Sequence, residues 1–197
     1  TNIISDYKDV SPEIQSKNYT SKTYNQTAIN INISHSKSNN NVPRQIFFNN
    51  EILGFLPVNE YCYNLIWSMP NNLFEKISLE DMKEYKTLIE ERANFILGEI
   101  QEITVGESFP LSARHADIYF YKNNLLIGES AHKFHPLAGL GLNMGIEDIS
   151  LLTQLISKHG DLKVIFREYA IKRISKNNSL QDILDLIIQF HHLDSLN

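Results

Sequence analysis

Between Leu125 and Ile156 the chain reads LLIGESAHKFHPLAGLGLNMGIEDISLLTQLI, and its chemically able residues crowd the first half of that stretch. Gly128-Glu129-Ser130-Ala131-His132 resembles a nucleophile elbow, GxSxG, with His132 where the second glycine belongs; Asp161 and His191 follow in the order Ser, Asp, His. An elbow needs its helix to begin directly after the serine, whereas Pro136, Gly139 and Gly141 prolong the turn. Gly139, Gly141 and Gly145 form GxGxxxG, but a dinucleotide fingerprint sets its first glycine directly after a strand. Gly139 lies eleven positions beyond Gly128. His132 and His135 have no third ligand at zinc spacing, so no metal is expected and the pair reads as structural or solvent-facing.

A site built from main chain fits the stretch better. Glu129 at a strand end can accept hydrogen bonds from sugar-like hydroxyls. Gly128, Pro136, Gly139 and Gly141 let the backbone lie close to a flat ring. Amides at Gly141, Leu142 and Asn143, at the positive end of a helix dipole, would stabilise negative charge on that ring. Those three demands together describe a flavin, whose own chemistry with oxygen the protein would only tune.

Composition narrows the alternatives. With 197 residues and 42% hydrophobic content the chain can bury a core in one domain or two small ones. A formal charge of −5 argues against nucleic acid as a partner. The single cysteine, Cys62, forms no internal disulfide, and no charged-then-apolar leader opens the sequence, which together fit a reducing, cytoplasmic location. No apolar run approaches the ~20 residues that span a bilayer, leaving at most peripheral membrane contact.

The elements that must position the site follow from periodicity. Residues 1–21 read as polar and irregular. Thr27–Ser34 alternates Ile29, Ile31 and Ile33 with polar residues and predicts a strand. Gln45–Phe48 and Ile52–Leu56 flank an Asn49-Asn50 turn, and Tyr61–Trp67 alternates with Tyr61, Tyr63, Leu65 and Trp67 on one face. A helix is predicted over 78–97, opened by a Ser78/Asp81 capping box, with Met82, Tyr85, Leu88, Ile89, Phe95 and Ile96 as its apolar stripe. Strands are expected at Ser108–Leu111, Ile118–Tyr121 and Leu125–Ile127, with Asn123 and Asn124 turning between the last two. A helix from about Leu142 carries Ile146, Ile149, Leu152 and Ile156 as its apolar face, and two more helices are predicted at Asp161–Ile174 and Ser179–His191. The fold class is α+β: an antiparallel sheet with a covering helix, a strand-turn-helix, then C-terminal helices. The expected division is 1–122 and 123–197.

LLIGESAHKFHPLAGLGLNMGIEDISLL resembles the second flavin-binding motif of the class A flavoprotein monooxygenases, and within them the ubiquinone-biosynthesis hydroxylases. The resemblance continues upstream through Arg44-Gln45-Ile46-Phe47, Gly54-Phe55-Leu56-Pro57, Leu65-Ile66-Trp67-Ser68 and Phe109-Pro110-Leu111 to Arg114-His115-Ala116, and downstream to Tyr169, Arg173 and Asn177. Glu129 stands where the family usually has Asp.

The resemblance implies an FAD-dependent hydroxylase, with NAD(P)H as electron donor, acting on a polyprenylated phenol through a C4a-hydroperoxyflavin, so that no catalytic side chain is needed. It implies Gly128 and Glu129 at the ribityl chain, and Pro136, Gly139, Gly141, Leu142 and Asn143 along the isoalloxazine edge. The sheet around Arg44 to Trp67 would floor the substrate pocket, as part of a substrate-binding domain over 1–122, with 123–197 the C-terminal part of the FAD-binding domain. It also implies that the family's Rossmann-like N-terminal half is absent here, to be supplied by a companion chain or upstream segment. A ubiquinone-biosynthesis complex, peripheral at an inner membrane or on the mitochondrial matrix side, is the expected setting. Alternatives are an inert remnant or interaction module of this fold, and a serine hydrolase using Ser130.

Overall fold

A computed structural model describes residues 2–77 and 82–194. In chain order these form β1 (Asn2–Ile4), a 3-10 turn (Tyr7–Asp9), α1 (Pro12–Lys17), β2 (Tyr19–His35), β3 (Arg44–Phe48), β4 (Glu51–Asn59) and β5 (Cys62–Pro70). Then come α2 (Asn71–Phe74), α3 (Met82–Leu97), β6 (Ile100–Ala116), β7 (Phe120–Tyr121), β8 (Asn124–Leu126) and β9 (His132–Lys133). Two helices close the chain, α4 (Gly141–Lys158) and α5 (Leu162–Asp194). The architecture is α+β, in two compact units. One comprises Thr1–Thr23 with Ser112–Ile188; the other comprises Tyr24–Leu111 with the chain from Gln189.

The second unit is an antiparallel sheet in the order β3-β4-β5-β2-β6 with α3 against one face. Alternation explains that face: Ile29, Ile31 and Ile33 of β2 and Tyr63, Leu65 and Trp67 of β5 are all buried with Leu53, Phe55, Tyr85 and Ile89. The β3–β4 hairpin closes on Asn49 and Asn50, both at positive φ (44° and 68°), the conformation a two-residue turn requires and Asn tolerates. At the covering helix, the proposed capping residues Ser78 and Asp81 lie outside the described residues. Its stripe differs from expectation: Tyr85, Ile89 and Ile96 are buried, but Met82 and Phe95 face outward while Arg92 turns in. Arg92 is drawn inward by the buried carboxylate of Glu51, which it grips with Nε and Nη2 at 2.8 Å each.

The first unit is organised by a parallel pair, β1 beside β8, with β7 antiparallel on β8's other side. This overturns the irregular reading of residues 1–21. Ile4 finds its partner, Leu126, across more than a hundred residues, a pairing no local pattern announces. Pro12 at the first turn of α1, after Ser11, is a favoured helix start. The turn before β8 falls at Lys122, with φ 54°. β6, a single 17-residue strand, absorbs the shorter strand expected at 108–111, and its end pairs with β9.

Two helical expectations are corrected. α5 is one helix of 33 residues, not two, because nothing between Ile174 and Ser179 breaks it. Asn177, between the two expected helices, is buried and donates from Nδ2 to the Tyr119 hydroxyl at 2.6 Å. In α4 the expected apolar face is largely the wrong one. Ile146 and Ile149 are 55% and 57% exposed, while Met144, Asp148, Leu152 and Leu155 point inward.

Candidate functional site

The strand-turn-helix lies wholly within the first unit. β8 runs into Gly128, whose φ of 55° is left-handed and turns the chain through the 3-10 segment Gly128–Ser130. Ser130 then locks the turn. Its buried Oγ accepts from Ile127 N (3.1 Å) and holds its proton between the carbonyls of Ile4 (2.5 Å) and Ile127 (2.9 Å). The Ser130 carbonyl is itself held by the Tyr19 hydroxyl at 2.5 Å, and burial raises that phenol to about 12. A hydroxyl so committed is a structural group and no nucleophile.

His132 and His135 are both buried. His135 Nδ1 accepts from Leu137 N at 3.0 Å and caps the 3-10 turn Pro136–Ala138. Among the described residues no three His, Cys, Asp or Glu side chains gather to hold a metal.

Past that turn the backbone opens outward. Glu129, Pro136, Gly139, Gly141, Leu142 and Asn143 are all exposed, Leu142 to 77%. Gly139 has φ 60°, and a Cβ built at Gly139 or Gly141 would meet nothing within 4 Å. α4 starts at Gly141 behind Leu140, with no side-chain cap on its first turn. Its first turn thus lacks a side-chain acceptor at the positive end of an 18-residue helix, which suits an anionic or electron-rich ligand edge.

Behind this rim sits a buried polar cluster that sequence reasoning left unassigned. Asp148 Oδ2 accepts from Gly128 N at 2.7 Å and from His132 Nε2 at 2.8 Å, while Arg173 Nε stands 2.5 Å from Oδ1 as a charge contact. Burial is the strongest influence on Asp148 and opposes its charge. The His132 and Gly128 hydrogen bonds and the Arg173 charge together outweigh it and hold the carboxyl below its ordinary value. Arg173 also donates to the Met144 carbonyl (3.1 Å) and to Glu147 (2.9 Å), which Lys176 shares at 2.6 Å.

Beside the cluster, Asn177 Nδ2 donates to Tyr119 Oη at 2.6 Å, and Tyr119 Oη shares a 2.7 Å hydrogen bond with His115 Nε2. Burial lowers His115, with the neighbouring His132 charge adding to it, and burial raises Tyr119 and Tyr169. His115, Tyr169, Arg173 and Asn177 lay among the residues that carry the family resemblance, without an assigned role; the inward orientation of Asp148 was hidden because Ile146 and Ile149 made an equally regular stripe.

The family model described as "FAD binding domain" matches residues 10–160. The chain belongs to that family. It is 28% identical over 138 residues to 3-demethoxyubiquinol 3-hydroxylase of Escherichia coli, covering 67% of this chain and 35% of that protein. It is 27% identical over 210 residues to the mitochondrial ubiquinone biosynthesis monooxygenase COQ6 of Xenopus tropicalis, covering 86% and 45%. Among solved structures, PqsL of Pseudomonas aeruginosa in complex with 2-aminobenzoylacetate superposes with a TM-score of 0.77 at 14% identity, covering 96% of this chain and 55% of that one. Klebsiella pneumoniae HpxO complexed with FAD and uric acid gives 0.70 at 13%, covering 96% and 51%. These share the fold. The chain spans less than half the length of those two curated relatives.

The residues present fit a flavin. The bare glycines leave room for a ring against main chain, the uncapped helix start offers amide donors, and the exposed Glu129 carboxylate is available to hydroxyls.

Proposed function

We propose that this chain forms part of an FAD-dependent hydroxylase that acts on a polyprenylated phenolic ring. The observation that carries the reading is the pairing, inside the stretch matched to the FAD binding domain, of a Ser130-locked turn with an uncapped helix start on a rim left open at Gly139 and Gly141. Gly128 and Glu129 would hold the ribityl hydroxyls. Pro136, Gly139 and the amides of Gly141, Leu142 and Asn143 would line the isoalloxazine, the amides stabilising negative charge on its pyrimidine edge. Bound FAD supplies the oxygen-activating redox chemistry, with NAD(P)H as donor. The chain's own task is to bind and orient the ring and tune its charge.

The ubiquinone-related names of the curated relatives support the substrate class. So does the sheet face of the second unit opposite α3, where Phe47, Leu56 and Val58 are exposed. A prenylated ring partitions into bilayers, which favours peripheral membrane contact in the cytoplasm or on a matrix side; no described helix is long and apolar enough to cross a membrane. The complementary nucleotide-binding half, or a companion chain carrying it, is the partner the reading requires.

The test is flavin absorbance and fluorescence quenching when FAD is added to the full chain, alone and co-expressed with the complementary half of a curated relative. Flavin capture, followed by anaerobic reduction with NADH or NADPH, would identify the donor. No capture in either setting would remove the hydroxylase reading and leave an inert remnant or interaction module.

A further inference from the structure

The two parts of the rim belong to different segments, yet one ligand would have to touch both at a fixed spacing. The Gly128–Ser130 turn follows β8, whereas the amides of Gly141–Asn143 open α4. What joins them is the buried pair Asp148–Arg173. Asp148 takes the Gly128 amide at 2.7 Å, and Arg173 takes the Met144 carbonyl, in the first turn of α4, at 3.1 Å. The carboxylate and guanidinium meet at 2.5 Å. The same two segments pass close at Gly145, where a Cβ would stand 3.9 Å from Gly128 Cα, in ordinary van der Waals contact.

Stability alone does not require this arrangement. Replacing a buried ion pair with apolar groups of similar size is often neutral or stabilising, whereas a charged pair with fixed hydrogen-bond directions specifies one geometry. Asp148 is fully buried and touches no surface where a ligand could reach it. We propose that Asp148 and Arg173 are positioning residues for the flavin, which they never contact, and that they set the spacing between the Gly128 turn and the α4 N-terminus. His132, donating to the same Asp148 oxygen at 2.8 Å, orients that carboxylate. The proposal rests on the flavin reading given above.

The test separates positioning from stability by removing both charges together. Asp148→Asn strands Arg173 and is expected to lower the melting temperature. Asp148→Asn with Arg173→Met removes both members of the pair, leaves an amide oxygen to accept from Gly128 and His132, and is expected to melt within a few degrees of wild type. FAD is titrated into each full-length protein in the cold, in whichever setting the wild type captures flavin, with affinity read by fluorescence quenching and the environment of the ring by the bound-flavin absorption spectrum.

Positioning predicts that the double variant binds FAD about tenfold more weakly, with a shifted spectrum, despite its recovered stability. A double variant with wild-type stability, affinity and spectrum overturns the proposal. If it fails to fold, Asp148→Glu keeps both charges but displaces the carboxylate. Weaker FAD binding by that variant supports positioning, and unchanged binding overturns it. A wild type that captures no flavin defeats the reading beneath the proposal, whereas capture unaffected by the variants defeats only the proposal.

Discussion

The two units each bury an arginine–carboxylate pair, and the pairs are built differently. Glu51 and Arg92 meet in bidentate geometry, both bonds at 2.8 Å, with Trp67 Nε1 also donating to the carboxylate at 2.8 Å; the side chains are 3% and 8% exposed. The two Arg92–Glu51 bonds join α3 to the sheet within a packed aromatic core, with the Arg92 guanidinium over the rings of Phe48 and Trp67. Asp148 and Arg173 meet at one atom pair only. Beyond that each reaches main chain, Gly128 N on one side and Met144 O on the other, and each also holds a side chain, His132 and Glu147 respectively. The first pair fastens one element to another. The second fixes the spacing of two backbone segments that also form an open rim, and that difference separates a pin from a template.

Breaking the pin should have the largest effect. Glu51→Ala leaves Arg92 buried without its carboxylate and should lower the unfolding free energy by about 3–5 kcal/mol, whereas Glu51→Met with Arg92→Met should recover most of it. Urea titration followed by fluorescence of Trp67, the sole tryptophan, measures both.

Acid sharpens the comparison. Asp148 ionises below its ordinary 3.8 in the folded chain, so its contribution is complete above that value and fades as pH falls through the lowered one. Wild type should lose stability there, and Asp148→Asn should not show that component. At milder pH the units should behave alike. His35 in the second and His115 in the first are both held below 6.5 by burial, so folding favours their neutral forms. Stability should fall as pH drops from 6.5 towards the folded values, and His115→Gln should flatten its share of the slope in urea midpoints measured across that range.

The smallest effect is expected on the outer face of α4. Ile146→Ser and Ile149→Ser should each change stability by no more than about 0.5 kcal/mol, since both side chains face outward. Leu152→Ala, buried on the opposite face, should cost about 2–5 kcal/mol in the same assay.

Much of this was legible from residue order because it depends on neighbours in sequence. Alternation alone placed Ile29, Ile31, Ile33, Tyr63, Leu65 and Trp67 on one sheet face, and an Asn pair marked the β3–β4 hairpin. The glycine spacing and late helix start of the 128–143 stretch argue against a serine elbow, in keeping with the Ser130 hydroxyl locked onto main chain. Tertiary structure decided whatever depends on partners distant in sequence. The first strand exists because Ile4 pairs with Leu126; α5 runs unbroken through Asn177 because Tyr119 takes its amide; and α4 turns Asp148 inward because Gly128, His132 and Arg173 await its charge. Periodicity records that a helix has two faces, but which of them is buried depends on the groups packed against it, and those lie elsewhere in the chain.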